Sequence, residues 1–220
     1  MGFLRTIVFL VVVFGPGMAM ASELPINEMP MYGGGVPELP GKIAATTSFV
    51  ATMLAEHGTR ENAARAKISR GWRYIALGDL PAAMRHFNQA YLLDPEQGEA
   101  YTGMAVVVMS RDQNKAESDA LFRRAVLSSK HTTDIFLNYG RFLLRDKRFE
   151  EGERQLATGL SIDPDAFSLR FLRAGALAQM GMRSRASEEF RIACEASKQP
   201  RTELEEIYAE PYAETCASLN

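Results

Sequence analysis

The chain lacks most of what an active site is built from. Its 220 residues include two cysteines, Cys194 and Cys216, and three histidines, His57, His86 and His131. The histidines are dispersed and neither cysteine has one nearby in sequence. There is no glycine-rich phosphate loop and no zinc-ligand spacing. No catalytic residue, cofactor or metal is therefore expected, and the carboxylates Glu150, Glu151 and Glu153 read as solvated charge on a helix surface. An excess of one charge is also missing: 25 basic against 27 acidic residues leave a net charge of −2, too small a field to recruit nucleic acid or an anionic membrane. Long apolar runs are absent as well. The stretch from Ile7 to Phe14 is far shorter than the roughly 20 residues that span a bilayer.

What is present begins with an export address over residues 1–21. Arg5 gives a positive start, Thr6 to Phe14 is almost wholly apolar, Gly15-Pro16-Gly17 breaks the run, and Ala19-Met20-Ala21 sets small residues before a cut at Ser22. The expected product is exported, periplasmic in a Gram-negative source, with no stable membrane insertion after cleavage. No cysteine near the cut could accept a lipid. Residues 22–41 carry Pro25, Pro30, Pro37 and Pro40 with Gly33-Gly34-Gly35, a composition expected to leave a disordered arm. Its apolar residues Met29, Met31 and Tyr32 could dock on the protein's own groove or on a partner.

From residue 42 onward the pattern is helical and repeats itself. Phe87, Phe122, Leu156 and Phe190 fall at spacings of 35, 34 and 34, as do Ala90, Ala125, Gly159 and Ala193. A second column, Gly71, Ala105, Gly140 and Ala174, is spaced 34, 35 and 34, and Tyr74, Val108, Leu143 and Leu177 follow three residues behind. The extra residue of the second repeat therefore lies between Ala105 and Phe122, and the polar stretch from Arg111 to Lys115 is its natural place. Gly78-Asp79-Leu80-Pro81 ends one helix and opens the next; Asp94-Pro95 and Asp163-Pro164 separate successive repeats.

These columns resemble the tetratricopeptide-repeat (TPR) family. Its signature appears as Gly71-x-x-Tyr74, Ala83-x-x-x-Phe87-x-x-Ala90 and Pro95, and again as Gly152-x-x-x-Leu156-x-x-Gly159 and Pro164. The second repeat diverges most, with Ser118 in place of an alanine and Lys130 in place of proline. The resemblance implies an all-α fold, a right-handed superhelix of about four helix-turn-helix repeats over residues 59–200. A capping helix is expected over residues 42–58, and a C-terminal cap or tail over 201–220. Close crossings need a small residue facing a bulky one, so Gly71 and Ala83 are expected to make room for Tyr74 and Phe87.

The resemblance also implies a concave groove lined by the first helix, A, of each repeat. Counted from Ala64, Gly98, Thr133 and Phe167, the groove positions include Arg65, Trp72, Thr102, Met109, Leu137, Arg141, Arg145, Phe171 and Gln179. The expected surface is apolar and basic. Arg141 and Arg145 would grip a carboxylate or form a plain solvated face, and Trp72, the sole tryptophan, would anchor the interface or pack on the N-terminal cap. Ile68 and Trp72 stand where carboxylate-clamp TPR domains of cytosolic heat-shock partners need lysine and asparagine, which sets that subtype aside. Cys194 and Cys216 could be bridged in an oxidising compartment, or remain a buried thiol and one on a frayed tail.

Phe136-Leu-Asn138-Tyr-Gly140-Arg-Phe142-Leu, followed by Arg148-Phe-Glu-Glu-Gly152, is similar to the middle repeats of TPR proteins that assist type IV and related pili. The function implied is an exported scaffold or adaptor that binds a protein or peptide segment for assembly of an envelope complex. A general periplasmic holdase is the alternative, and a cell-wall-active enzyme with a buried acidic pair a remote one.

Overall fold

A computed structural model describes residues 24–34, 40–197 and Cys216. The expected signal peptide, residues 1–21, and all of 201–220 except Cys216 lie outside the described residues. Leu24–Gly34 contains a 3-10 turn, Ile26–Glu28, and a single turn, α1 (Met31–Gly34), whose Met31, Tyr32 and Gly33 take positive φ. Helix α2 (Pro40–His57) follows, and eight more helices pair into four hairpins. These are α3 (Arg60–Ala76) with α4 (Leu80–Leu93), α5 (Gly98–Asp112) with α6 (Lys115–Leu127), α7 (Thr133–Arg145) with α8 (Phe149–Ile162), and α9 (Phe167–Gln179) with α10 (Arg183–Ser197).

Local chemistry sets the boundaries. Thr59, Asp79 and Asn114 each accept a hydrogen bond from a backbone N–H three residues on, and Pro81 fits the first turn of α4, where no N–H is needed. Three of the four A–B turns close the same way: Asp79 N–H reaches Tyr74 O, Arg148 N–H reaches Leu143 O, and Met182 N–H reaches Leu177 O around a left-handed residue. That residue is Gly78, Lys147 or Gly181, at φ between 61° and 78°. The second repeat differs: its extra residue lengthens α5 to Asp112, and left-handed Gln113 leads straight to Asn114, the N-cap of α6. Both helical faces stay in register, and Arg111 is carried to the far end of α5.

Each A helix packs on the next A helix, α3 on α5, α5 on α7 and α7 on α9. Consecutive B helices make no comparable contact among the described residues. The A helices therefore lie on the inside of the superhelix and the B helices are splayed outside.

The largest buried cluster runs from Val50 and Met53 of α2 to Phe142 and Leu143 of α7; two smaller clusters continue it through α8, α9 and α10. Phe87, fully buried, fills a slot between two helices. A Cβ on Gly71 would stand 2.6 Å from its ring, and one on Gly103 only 2.2 Å. Gly71 thus makes room for Phe87, not for Tyr74, which instead stacks on His86 with centroids 5.1 Å apart.

Ion pairs tie later hairpins together. Asp119 accepts from Arg123, Arg148 and Tyr139, and Arg148 also grips Glu151 with two hydrogen bonds. Burial opposes ionisation of Asp119, but these donors win and hold its carboxyl below the usual range, while burial and the adjoining carboxylate push Tyr139 to about 12. Arg173 joins Glu153 of α8 to Glu189 of α10, an arrangement that welds the last two repeats.

Candidate protein-binding surfaces

The inner face presents fewer of the expected groove residues than their helical angle suggests. Arg65 is exposed and donates to Asn62 Oδ1 at 3.0 Å. Trp72 is half-buried and meets Phe87 edge-to-face at 5.5 Å, and Met109 is half-buried against the main core. Arg141 is half-buried beside Asn138, and Arg145 and Gln179 are exposed.

Thr102, Leu137 and Phe171 are not available to a ligand. Thr102 is fully buried and its hydroxyl donates to Gly98 O within its own helix; Leu137 belongs to the second core cluster; Phe171 packs against Phe167 and Phe190. Residues of α8 and α9 cover Leu137, and Phe190 of α10 covers Phe171.

The face is not simply basic either. Glu99 and Asp134 occupy the register of Arg65 one and two repeats on. Burial pushes the Glu99 carboxyl up; Asp134 adds to the rise, and the Thr132 hydroxyl and Arg65 do not cancel it. Asp134, although exposed, is surrounded by enough protein to raise its carboxyl as well, against the pull of Arg141. Arg65, Glu99 and Asp134 thus follow one another from α3 to α5 to α7, Glu99 feels the charge of both others, and Arg141, two turns further along α7, acts on Asp134. The 34 and 35 residue spacing that picks out Arg65 would have found both acids.

Sequence reasoning missed a second surface. Leu24–Gly34, expected to be disordered, is laid on the B-helix side against α4. Asn88, at 0% exposure, donates from Nδ2 to the carbonyls of Asn27 (3.0 Å) and Met29 (2.8 Å). Arg85 pairs with Glu28 Oε1 at 2.6 Å, and Arg111 Nη1 donates to Glu28 O at 3.0 Å. Pro30 is buried, Met31 packs against the main core, and burial pushes the Tyr32 hydroxyl to about 12. The arm holds to the outer side, not the groove, because buried donors there meet its open backbone carbonyls.

Cys194 and Cys216 are joined by a disulfide, with Cα atoms 5.5 Å apart and Cys194 in the last core cluster. Among the described residues no helix is long and apolar enough to cross a membrane, and no group of His, Cys, Asp and Glu is placed to hold a metal ion.

No family model matches the chain. Over 116 residues, 53% of its length, it is 29% identical to the type IV pilus assembly protein PilF of Pseudomonas aeruginosa. The match takes in 46% of that protein, so the chain spans about half the length of the curated relative. The solved structure from a functional characterization of Pseudomonas aeruginosa PilF superimposes with a TM-score of 0.58 at 25% identity, covering 72% of this chain and 74% of that one. A structure of MamA gives 0.52 at 18% identity over 68% and 85% of the two chains. YrrB, described as a TPR protein with an unusual peptide-binding site, gives 0.51 at 19% over 67% and 74%. The last two share the fold.

Proposed function

We infer that this tetratricopeptide-repeat scaffold is an exported adaptor that holds a segment of a protein partner against its A-helix face during assembly of an envelope complex. The observation that carries the reading is the inner face itself. Half-buried Trp72 and Met109 offer apolar contact, and Arg65, Glu99, Asp134 and Arg141 offer charges of both signs across three successive A helices. Carboxylates held above their ordinary range have lost solvation, and a cationic side chain from a partner restores it. Arg141 and Arg145 remain the groups to receive a carboxylate. A bound segment would therefore be amphipathic and of mixed charge.

Three observations support export and an assembly role. The N-terminal 21 residues have the organisation of a cleavable signal, the Cys194–Cys216 bridge suits an oxidising compartment, and the relative PilF is a pilus assembly protein. Pilus-like appendages are the complex favoured by that likeness. Catalysis has no part in the reading.

The test is affinity capture of the mature chain from its native envelope fraction, wild type beside Trp72→Ala combined with Arg141→Glu. A small set of proteins lost only with the variant supports a dedicated adaptor. A broad set that the variant leaves unchanged points to a general holdase, and would overturn the reading.

A further inference from the structure

The arm on the outer face makes contacts of a kind more usual between a receptor and a peptide than within a core. Asn88 sits in the middle of α4, fully buried, and its amide donors are met by two carbonyls on either side of Glu28. Pairing of this sort reads the backbone of the Ile26–Glu28 turn without regard to its side chains, and leaving those donors unmet would carry the penalty of a buried unsatisfied group. Around the acidic side chain of the arm stand Arg85, on the Glu28 carboxylate, and Arg111, on the Glu28 carbonyl and close enough for its charge to feel Glu28. Arg111 reaches this place from the end of α5, the helix that the one-residue insertion lengthens.

The arm is an imperfect occupant. Asn88 Oδ1 is buried and has no hydrogen-bond donor among the described residues, and Pro30, next to the bonded Met29 carbonyl, has no N–H to give. An open cavity also remains between the arm and α6, bounded by Met29, Pro30 and Met31 on one side and by Ala120, Leu121 and Leu127 on the other. Leu127 is 85% exposed, an apolar wall that the arm leaves bare.

We propose that the outer face of α4, α5 and α6 is a second protein-binding site, occupied in this structure by the chain's own arm. Its intended occupant is a segment of a partner protein that takes the same turn as Ile26–Glu28 and in which an acidic residue is followed by a bulky apolar one. The acid replaces Glu28 between Arg85 and Arg111, the backbone pairs with Asn88, and the larger side chain fills the space beside Met29 down to Leu127. The chain's own arm, tethered at high local concentration, sets the threshold such a segment must exceed. The site does not depend on the inner-face reading.

The probe is a fluorescent nonapeptide with the sequence of residues 24–32, titrated by polarisation against the full chain carrying Glu28→Arg, in which Arg85 and Arg111 repel the arm. This receptor is expected to bind the peptide saturably and the wild-type chain at least about tenfold more weakly, because its own arm competes. A peptide with Met29→Phe should bind several-fold tighter, and one with Glu28→Gln about tenfold weaker through loss of a charge-assisted hydrogen bond. Asn88→Ala in the receptor should abolish binding. Arg85→Gln, at a partly exposed position where folding is not at stake, should weaken it about tenfold. Trp72→Ala with Arg141→Glu should leave it unchanged, which separates this site from the inner face. No saturable binding to the Glu28→Arg chain, or equal binding by the Glu28→Gln peptide and to the Arg85→Gln receptor, overturns the proposal and makes the arm ordinary packing.

Discussion

Adding one methyl group at Gly103 should destabilise the protein, and adding the same group at Gly175 should stabilise it. A Cβ on Gly103 would lie 2.2 Å from Cε1 and Cζ of Phe87, and the ring has no free side to move toward: Gly71 lines the slot opposite, where a Cβ would come within 2.6 Å. Phe87 is 0% exposed and Trp72 abuts its edge at 5.5 Å, so the ring can yield only by pushing α3 and α5 apart. Overpacking of this kind costs about 1–3 kcal/mol. Alanine returns about 0.5–1 kcal/mol over glycine in a helix interior. The net expectation is a loss of about 1–2 kcal/mol for Gly103→Ala.

Gly175, exposed in α9 with nothing within 4 Å of its Cβ direction, should show only the helix term, a gain of about 0.5–1 kcal/mol. The assay is urea unfolding followed by far-ultraviolet circular dichroism at constant m-value. Phe87→Leu combined with Gly103→Ala should be less damaging than the two single changes summed, by about 1 kcal/mol, because the shorter side chain vacates the slot. If Gly103→Ala stabilises as Gly175→Ala does, or if the two changes at the slot add without coupling, the account of the helix crossing is wrong.

Lys147 occupies a left-handed position, φ 61°, that Gly78 and Gly181 fill in the first and last repeats. Lys147→Gly should therefore raise stability by about 1 kcal/mol in the same urea assay, and Lys147→Val should lower it. The Cys194–Cys216 bridge closes a loop with a sequence separation of 22, worth about 3 kcal/mol in the unfolded chain by loop-closure entropy. Cys216→Ser should lower the melting temperature to that of the reduced wild type and remove any further effect of reductant; a variant that still responds to reductant refutes the argument. The folded-state pKa of Glu99 is raised above its unfolded value of about 4.5, so its ionisation costs stability at neutral pH, and the cost disappears as pH falls through the raised carboxylate range. Glu99→Gln should accordingly melt above wild type at neutrality, with the gap narrowing toward pH 4.5.

The repeats were legible because a TPR hairpin writes its packing into fixed columns: the residue at each crossing recurs every 34 or 35 positions, and one insertion shifts the count by one. Gly103 had no such column, since Ser69, Asn138 and Leu172 stand at the matching positions of the other repeats, and only the shape of the Phe87 slot shows why it is glycine. The groove was half legible. Register gives the angle of a side chain about its own helix axis, and that is the ground for setting Arg65, Trp72 and Arg141 on the inner side. It does not give the distance to the next helix, which decides that Thr102 and Leu137 are covered.

The arm shows a different limit. Proline and glycine in residues 22–41 disfavour a long helix or strand and so predict disorder, whereas the segment forms a 3-10 turn at Ile26–Glu28 and a short turn at Met31–Gly34. A segment whose few internal hydrogen bonds only close single turns leaves other carbonyls and lone pairs free to pair elsewhere, however, and whether it stays in place depends on donors contributed by another part of the chain. Here those donors are Asn88, at a position where Arg123, Ala157 and Arg191 stand in the other repeats, and Arg111, placed by an insertion that reads as a neutral turn variation. The two irregularities of the sequence, an arm without periodicity and a repeat one residue too long, meet at one point on the outer face, where the repeat pattern alone predicts no contact.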